Sequence, residues 1–170
     1  MDGIIQVRTF IGNMASRSHR FFPDPFDMFS FTKRADYALL ALSYLATAAM
    51  SDPARLVNTK EISDQYHIPI EMLAKILQVM ARSGLVVSHP GPTGGYRLSR
   101  NADTITISDV VNSIDGQLGI VHCSNGNDAG CEQFSHCTIR TPLYELEDRM
   151  NQMLRQISIS EISKEPVLNH

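Results

Sequence analysis

The stretch that decides the fold runs from Asn58 to Leu98 and reads NTKEISDQYHIPIEMLAKILQVMARSGLVVSHPGPTGGYRL. Asn58 with Glu61 three residues on is a capping-box-like helix start, and the short helix it opens continues through Ile62 to Tyr66. His67-Ile68-Pro69 breaks the chain and restarts it, because proline is favoured in the first helical turn. The next helix runs to Ser83 and stops at Gly84, a natural C-cap. Leu73, Ile76, Leu77 and Met80 form its apolar side, and Glu71, Lys75, Gln78 and Arg82 its polar side. Two short helices joined by a tight turn, the second with one side for the core and one polar side left over, make a helix-turn-helix. Leu85 to Ser88 and Gly95 to Leu98 then read as strands, and HPGPTG between them as a hairpin tip stiffened by Pro90 and Pro92. That hairpin is a wing. The expected fold is mainly α with a small β-hairpin wing: a winged helix-turn-helix, with a C-terminal dimerisation helix added downstream.

Working outward toward the N-terminus, Tyr37, Leu40, Ala41, Tyr44, Leu45 and Ala48 recur at helical spacing behind Thr32, a helix N-cap. Lys33 and Arg34 fall in the first turn, where the helix dipole disfavours cations. Either they meet an external anion such as phosphate, or they are two solvated charges. Residues 1–27 mix Arg, Ser, Pro and Phe without periodicity and read as a flexible tail, with Met28 an alternative start. No signal-type apolar core stands at the N-terminus. The uncharged apolar run from Ala38 to Met50 is well short of the roughly 20 residues that span a bilayer.

Toward the C-terminus, residues 105–115 give one more amphipathic helix, with Val110, Val111 and Ile114 inward. Cys123 to Cys137, CSNGNDAGCEQFSHC, holds all three cysteines of the chain in a stretch rich in Gly, Asn, Asp and Ser. Thiols serve as small buried hydrophobes or as reactive and ligating groups, and a polar loop has no packing use for three of them, so something is expected to bind there. An odd cysteine count with no C-x-x-C pair points to a reducing cytoplasm. Thr141-Pro142 reads as N-cap and first helical residue. After it Leu143, Leu146, Met150, Met153 and Ile157 are spaced as an a/d heptad seam, which suits the partner helix of a symmetric homodimer or, alternatively, packing back on its own domain.

The charge is uneven. The net charge is −3, yet residues 28–100 carry eight positive groups against five negative, and residues 101–170 four against ten. The basic middle is the candidate nucleic-acid face. The expected organisation is a tail at 1–27, the DNA-binding domain at 28–100, a connecting helix at 101–122, the cysteine loop at 123–140, and the dimerisation helix with a C-terminal tail at 141–170. On double-stranded DNA the polar stripe of the recognition helix enters the major groove, with Ile70, Glu71, Lys75 and Gln78 placed for base edges or backbone. The wing tip around Thr93 reaches the minor groove, while Lys33, Arg34 and Thr59 fit phosphates.

The ADYALLAL of helix one, IPIEMLAKILQVMARSGLV, GPTGGYRL and the three-cysteine loop followed by a dimer helix occur in one order. In that order, over residues 28 to about 162, the chain resembles the iron-sulfur winged-helix regulators typified by IscR, NsrR and RirA. The spacing of the cysteines and the SHCTIR ending are most similar to iron-responsive members and to regulators of the SUF cluster-assembly operon. The resemblance implies a homodimeric transcription repressor on a palindromic operator, controlled by an iron-sulfur cluster, 4Fe-4S rather than 2Fe-2S, on Cys123, Cys131 and Cys137. Three soft thiolates suit such a cluster, and a fourth ligand must come from elsewhere. Where IscR-like members have a ligating histidine this chain has Arg140, which cannot ligate. Where NsrR-like members have an aspartate donated by the partner subunit it has Asp36. Asp36 is either that ligand or a complement to its own helix dipole. Zinc with His122 or His136 is the alternative metal. IscR-like base preference does not carry over, since Ala74 and Pro90 replace the discriminating glutamate and the wing arginine. Two other readings remain: a redox or cluster-transfer protein using the three-cysteine loop, which would have no use for a wing, and an apo-active DNA binder with vestigial cysteines. Catalysis lacks an orienting acid or an oxyanion loop, so no enzyme is expected.

Overall fold

The protein's computed structural model describes residues 30–117, 119–120, 123 and 131–164. The expected tail at 1–27, Met28, His122 and the central loop residues 124–130 lie outside the described residues. In chain order come α1 (Lys33–Ser51), α2 (Thr59–Tyr66), α3 (Ile70–Arg82), β1 (Val86–His89), β2 (Gly95–Leu98), a 3-10 turn at Ala102–Thr104, α4 (Ile107–Ile114), a second 3-10 turn at Phe134–His136, α5 (Arg140–Gln156) and α6 (Ile159–Lys164).

Helix α1 starts where Thr32 accepts a hydrogen bond from the Ala35 N–H, and it buries Ala35, Ala38, Ala41, Leu42, Leu45, Ala46 and Ala48. The buried side is centred on alanines, so Leu40 from the expected stripe is left 38% exposed. Small side chains let α3, α4 and α6 approach α1 closely. Asn58 caps α2 through the Glu61 N–H at 2.9 Å. The capping box is only half formed, because the Glu61 carboxylate turns instead to Tyr44 and Arg55. His67 ends α2 in the left-handed region at φ 53°, and Pro69 is the N-cap of α3. Buried Ile68 sits in this turn, its N–H bonded to the Ser63 carbonyl and its own carbonyl accepting from Ser63 Oγ. Helix α3 drives Leu73, Ile76, Leu77 and Met80 into the core as expected. Each such side chain contributes roughly 1.5–3 kcal/mol relative to leaving it exposed.

The wing strands pair antiparallel, Val86 opposite Leu98 and His89 opposite Gly95. Val57 completes the sheet on the free edge of β2, exchanging backbone hydrogen bonds with Tyr96 at 3.0 and 2.8 Å. This approach requires glycine at Gly95, where a Cβ would lie 2.5 Å from the Val57 carbonyl oxygen.

Helix α4 opens on a complete capping box between Thr106 and Asp109 and buries Ile107, Val110, Val111 and Ile114. The C-terminal part differs from expectation in three ways. Helix α5 begins at Arg140, with Ile139 in the N-cap position, rather than at Thr141-Pro142. Ile157 is not the last residue of a helical seam. Its backbone is extended at φ −96° and ψ 117°, and its carbonyl accepts from the Ile107 N–H. Beyond it, within the stretch expected to be tail, Ile159–Lys164 form α6, opened by reciprocal Ser158 and Glu161 bonds. Ile159, 0% exposed, enters the same core as α1 and α3. The cause is backbone pairing: residues 105–107 have N–H and C=O groups to satisfy, and Ile157 to Ile159 supply the partners.

Candidate DNA-binding face and cysteine loop

The residues expected on DNA occupy three elements and the wing tip. Lys33 and Arg34 are exposed at the start of α1, and half-buried Thr59 is the first residue of α2. Ile70, Glu71, Lys75 and Gln78 are exposed along the solvent side of α3, and Ile70 remains 48% exposed although it is apolar. Thr93 is exposed at the wing tip. The tip is held by Gly94, whose N–H bonds to the Gly91 carbonyl. A Cβ on Gly94 would stand 2.1 Å from the His89 carbonyl oxygen.

Sequence reading missed the brace behind α3. Tyr44 on α1 donates to Glu61 Oε1 at 2.8 Å, the Arg55 guanidinium pairs with the same carboxylate, and Tyr44 meets Tyr66 edge-on at 6.0 Å between ring centroids. The bond to Glu61, then burial, pushes the Tyr44 phenol above its ordinary value. Burial does the same to Tyr66. The brace fixes α2, and through the turn α3, against α1.

The anion foreseen near Lys33 and Arg34 has an internal counterpart. Thr32 Oγ1 donates to Asp115 Oδ2 at 2.7 Å, placing a carboxylate from the end of α4 at the N-terminus of α1. Asp36 stands half-buried in that same first turn.

The stretch that leads from the end of α4 into the cysteine loop is tied to α5 at two points on the loop's entry side. The Ile120 N–H donates to Glu147 Oε2 at 2.9 Å, and Tyr144 donates to the Cys123 carbonyl at 2.9 Å. Cys131 and Cys137 flank a tight turn in which the Phe134 N–H bonds to the Cys131 carbonyl at 3.1 Å. Arg140 lies 4.2 Å from the centre of the Phe134 ring and donates to the Phe134 carbonyl at 3.3 Å. A residue that cannot ligate thus clamps the turn between two cysteines. All three thiols are free, Cys131 exposed and the other two half-buried. His136, the zinc alternative within the described residues, is exposed. Among the described residues no three thiol, imidazole or carboxylate groups converge as a metal centre. Asp36 therefore is not brought to the cysteines within one chain.

Helix α5 buries none of its side chains: Leu143 and Met150 are half-covered, Leu146 is 43% exposed and Met153 63% exposed. No helix among the described residues is long and apolar enough to cross a membrane.

Comparison with known proteins bears on these features together. Residues 31–165 match the Rrf2 family model, described as iron-dependent transcriptional regulator. The HTH-type transcriptional regulator IscR of Vibrio campbellii is 28% identical over 134 residues, 79% of this chain and 77% of that protein. The IscR of Pectobacterium atrosepticum is 29% identical over 139 residues, 81% of this chain and 82% of that one. Among solved structures, CymR, the global cysteine regulator of B. subtilis, superposes with a TM-score of 0.61 at 18% identity, covering 79% of this chain and 96% of that one. T. potens IscR does so at 0.62 and 19%, covering 80% and 87%. These relatives are transcriptional regulators and not enzymes. The chain, with its winged helix and its exposed recognition helix, belongs to the Rrf2 family and is a DNA-binding transcriptional regulator.

Proposed function

We propose that the protein is a cytoplasmic homodimeric repressor whose hold on a palindromic operator is set by an iron-sulfur cluster. Cys123, Cys131 and Cys137 are the thiolate ligands, and the partner subunit's Asp36 is the fourth. The observation that carries this reading is where the loop is anchored. The stretch leading into it starts from Asp115, which is bonded to the N-cap of α1, and is bonded at Ile120 and Cys123 to Glu147 and Tyr144 of α5. A loop tied to the DNA-binding domain on one side and to an unburied helix on the other is positioned to pass its state to both. The donor chemistry suits such a cluster: three free thiols are soft ligands, which the cluster would have to draw together since they do not converge among the described residues, and a carboxylate as fourth donor would leave one iron comparatively labile. The cluster, a 4Fe-4S, supplies the chemical sensitivity to iron, oxygen or nitric oxide. The residues around it supply the connection: Arg140 holds the Cys131–Cys137 turn, and Thr32 holds Asp115 against the first turn of α1.

Leu143, Leu146, Met150 and Met153 form the dimer seam, which would bring a second α1, with its Asp36, within reach of the loop. The genes of SUF-type cluster assembly are the proposed targets, on the similarity of the cysteine spacing alone. A redox or cluster-transfer role finds no support among the regulators the chain matches. Native mass spectrometry of anaerobically purified protein tests the reading. The expected mass is a dimer carrying two clusters. A zinc adduct, or a metal-free dimer after reconstitution with iron and sulfide, would overturn it.

A further inference from the structure

A second feature of the fold is independent of the cysteines. A cleft of about 520 Å³ lies between the C-terminal half of α1, the end of β2, the 3-10 turn at Ala102–Thr104 and α6. Its volume is that of a small-molecule site. Leu45, Ala46, Ala49 and Leu98 give it an apolar lining, while Arg55, Arg97, Arg100 and Lys164 line it with positive charge against the single acid Asp103. Two of the four cations already have carboxylate partners outside the lining, Arg55 with Glu61 and Arg100 with Asp109. Among the described residues Arg97 and Lys164 have no such partner, and Arg97 spends its Nε–H on His89 at 3.2 Å. Ser160, 8% exposed, is a polar residue in the same lining. The C-terminal carbonyls of α1 point toward this end, so part of the positive charge offsets them, yet the helix's own last turn contributes no cation.

We propose that this cleft binds a small organic anion with a hydrocarbon body, its acid head held by Arg97 and Lys164 and its body against Ala46, Ala49 and Leu98. The cations would be wasted on a neutral ligand and the apolar floor on a bare inorganic ion. The cleft joins the wing to α6, the element that follows α5. An occupant would therefore fix the wing relative to the C-terminal segment and alter operator affinity without touching the cysteine loop.

Isothermal titration of the intact protein with octanoate, octyl phosphate, octanol and inorganic phosphate tests this. Saturable binding of octanoate or octyl phosphate is expected, the tighter of the two assigning the head group. Octanol and inorganic phosphate are each expected to bind roughly tenfold more weakly or not at all. The double variant Arg97→Ala and Lys164→Ala should weaken binding of the favoured probe by roughly tenfold. Ala49→Leu, which fills the floor and keeps every cation, should do the same, with circular dichroism showing both variants folded. Absence of saturable binding by either amphiphile, or binding unchanged in both variants, would overturn the proposal. Because the readout is binding to the cleft, failure here leaves the cluster reading untouched, and the reverse holds as well.

Discussion

Arg140 and Asp36 bear most directly on the proposed ligand set, and the role of Asp36 can be measured. The guanidinium of Arg140 stacks on Phe134 and bonds to its carbonyl, so it shapes the turn between Cys131 and Cys137. Asp36 sits in a first helical turn where a carboxylate gains about 0.3–1 kcal/mol from the dipole, so its presence alone does not require a metal. Asp36→Ala should shorten the lifetime of the cluster absorbance severalfold in the presence of an iron chelator while costing under about 1 kcal/mol of urea stability. An unchanged lifetime would remove Asp36 from the ligand set. At Tyr44 the expectation concerns stability. Tyr44→Phe removes the bond to Glu61 and should cost about 1 kcal/mol. The phenol is held above its ordinary value of 10.0, so in the wild type this contribution is fully present below that pH and is lost as pH rises through the elevated folded value. The stability of Tyr44→Phe should converge on that of the wild type at high pH, measured by denaturant midpoints from neutral pH upward.

The elements differ in how plainly the sequence announced them. Helices α2 and α3, their turn and the wing were legible because each boundary carries its own chemistry: Asn58 as cap, Pro69 as restart, Gly84 as the C-cap glycine, at φ 74° in the structure, and Pro90 with Pro92 at the hairpin tip. Helix α6 was overlooked although Ser158 and Glu161 form a capping-box signature, because heptad spacing drew Ile157 into the preceding helix. A 3,4 spacing on five residues cannot reveal that the last one has left the helix to pair with residues 105–107. The consequence is an asymmetry between α5 and α6. Ile159→Ala should cost about 2–5 kcal/mol of winged-helix stability, since it empties a fully buried site. The pair Leu146→Glu and Met153→Glu should leave that stability within about 1 kcal/mol, because both residues are exposed in one chain. The same pair should weaken the dimer roughly a hundredfold by sedimentation, as it would bury unpaired charge at a twofold seam. A dimer that survives both charges would move the interface elsewhere.

For the whole molecule, one path of contacts links its working parts. The brace of Tyr44, Glu61 and Arg55 sets α3 against α1, the Thr32–Asp115 bond sets α1 against the entry to the cysteine loop, and Tyr144 with Glu147 sets the loop against α5. These bonds were not read in advance: apart from the Arg55–Glu61 pair, each joins residues 17 or more positions apart, through at least one side chain that is by itself an ordinary polar group. The cysteines were conspicuous, but what they are connected to was not. Cluster control of DNA binding requires this connection to be used, and one measurement tests that directly: fluorescence anisotropy of a labelled operator with a single anaerobic preparation, before and after removal of its cluster by chelation. The account predicts that operator affinity changes by a factor of at least about ten, which is about 1.4 kcal/mol of coupling. Equal affinity of the two forms, with both shown to be dimeric, would contradict it.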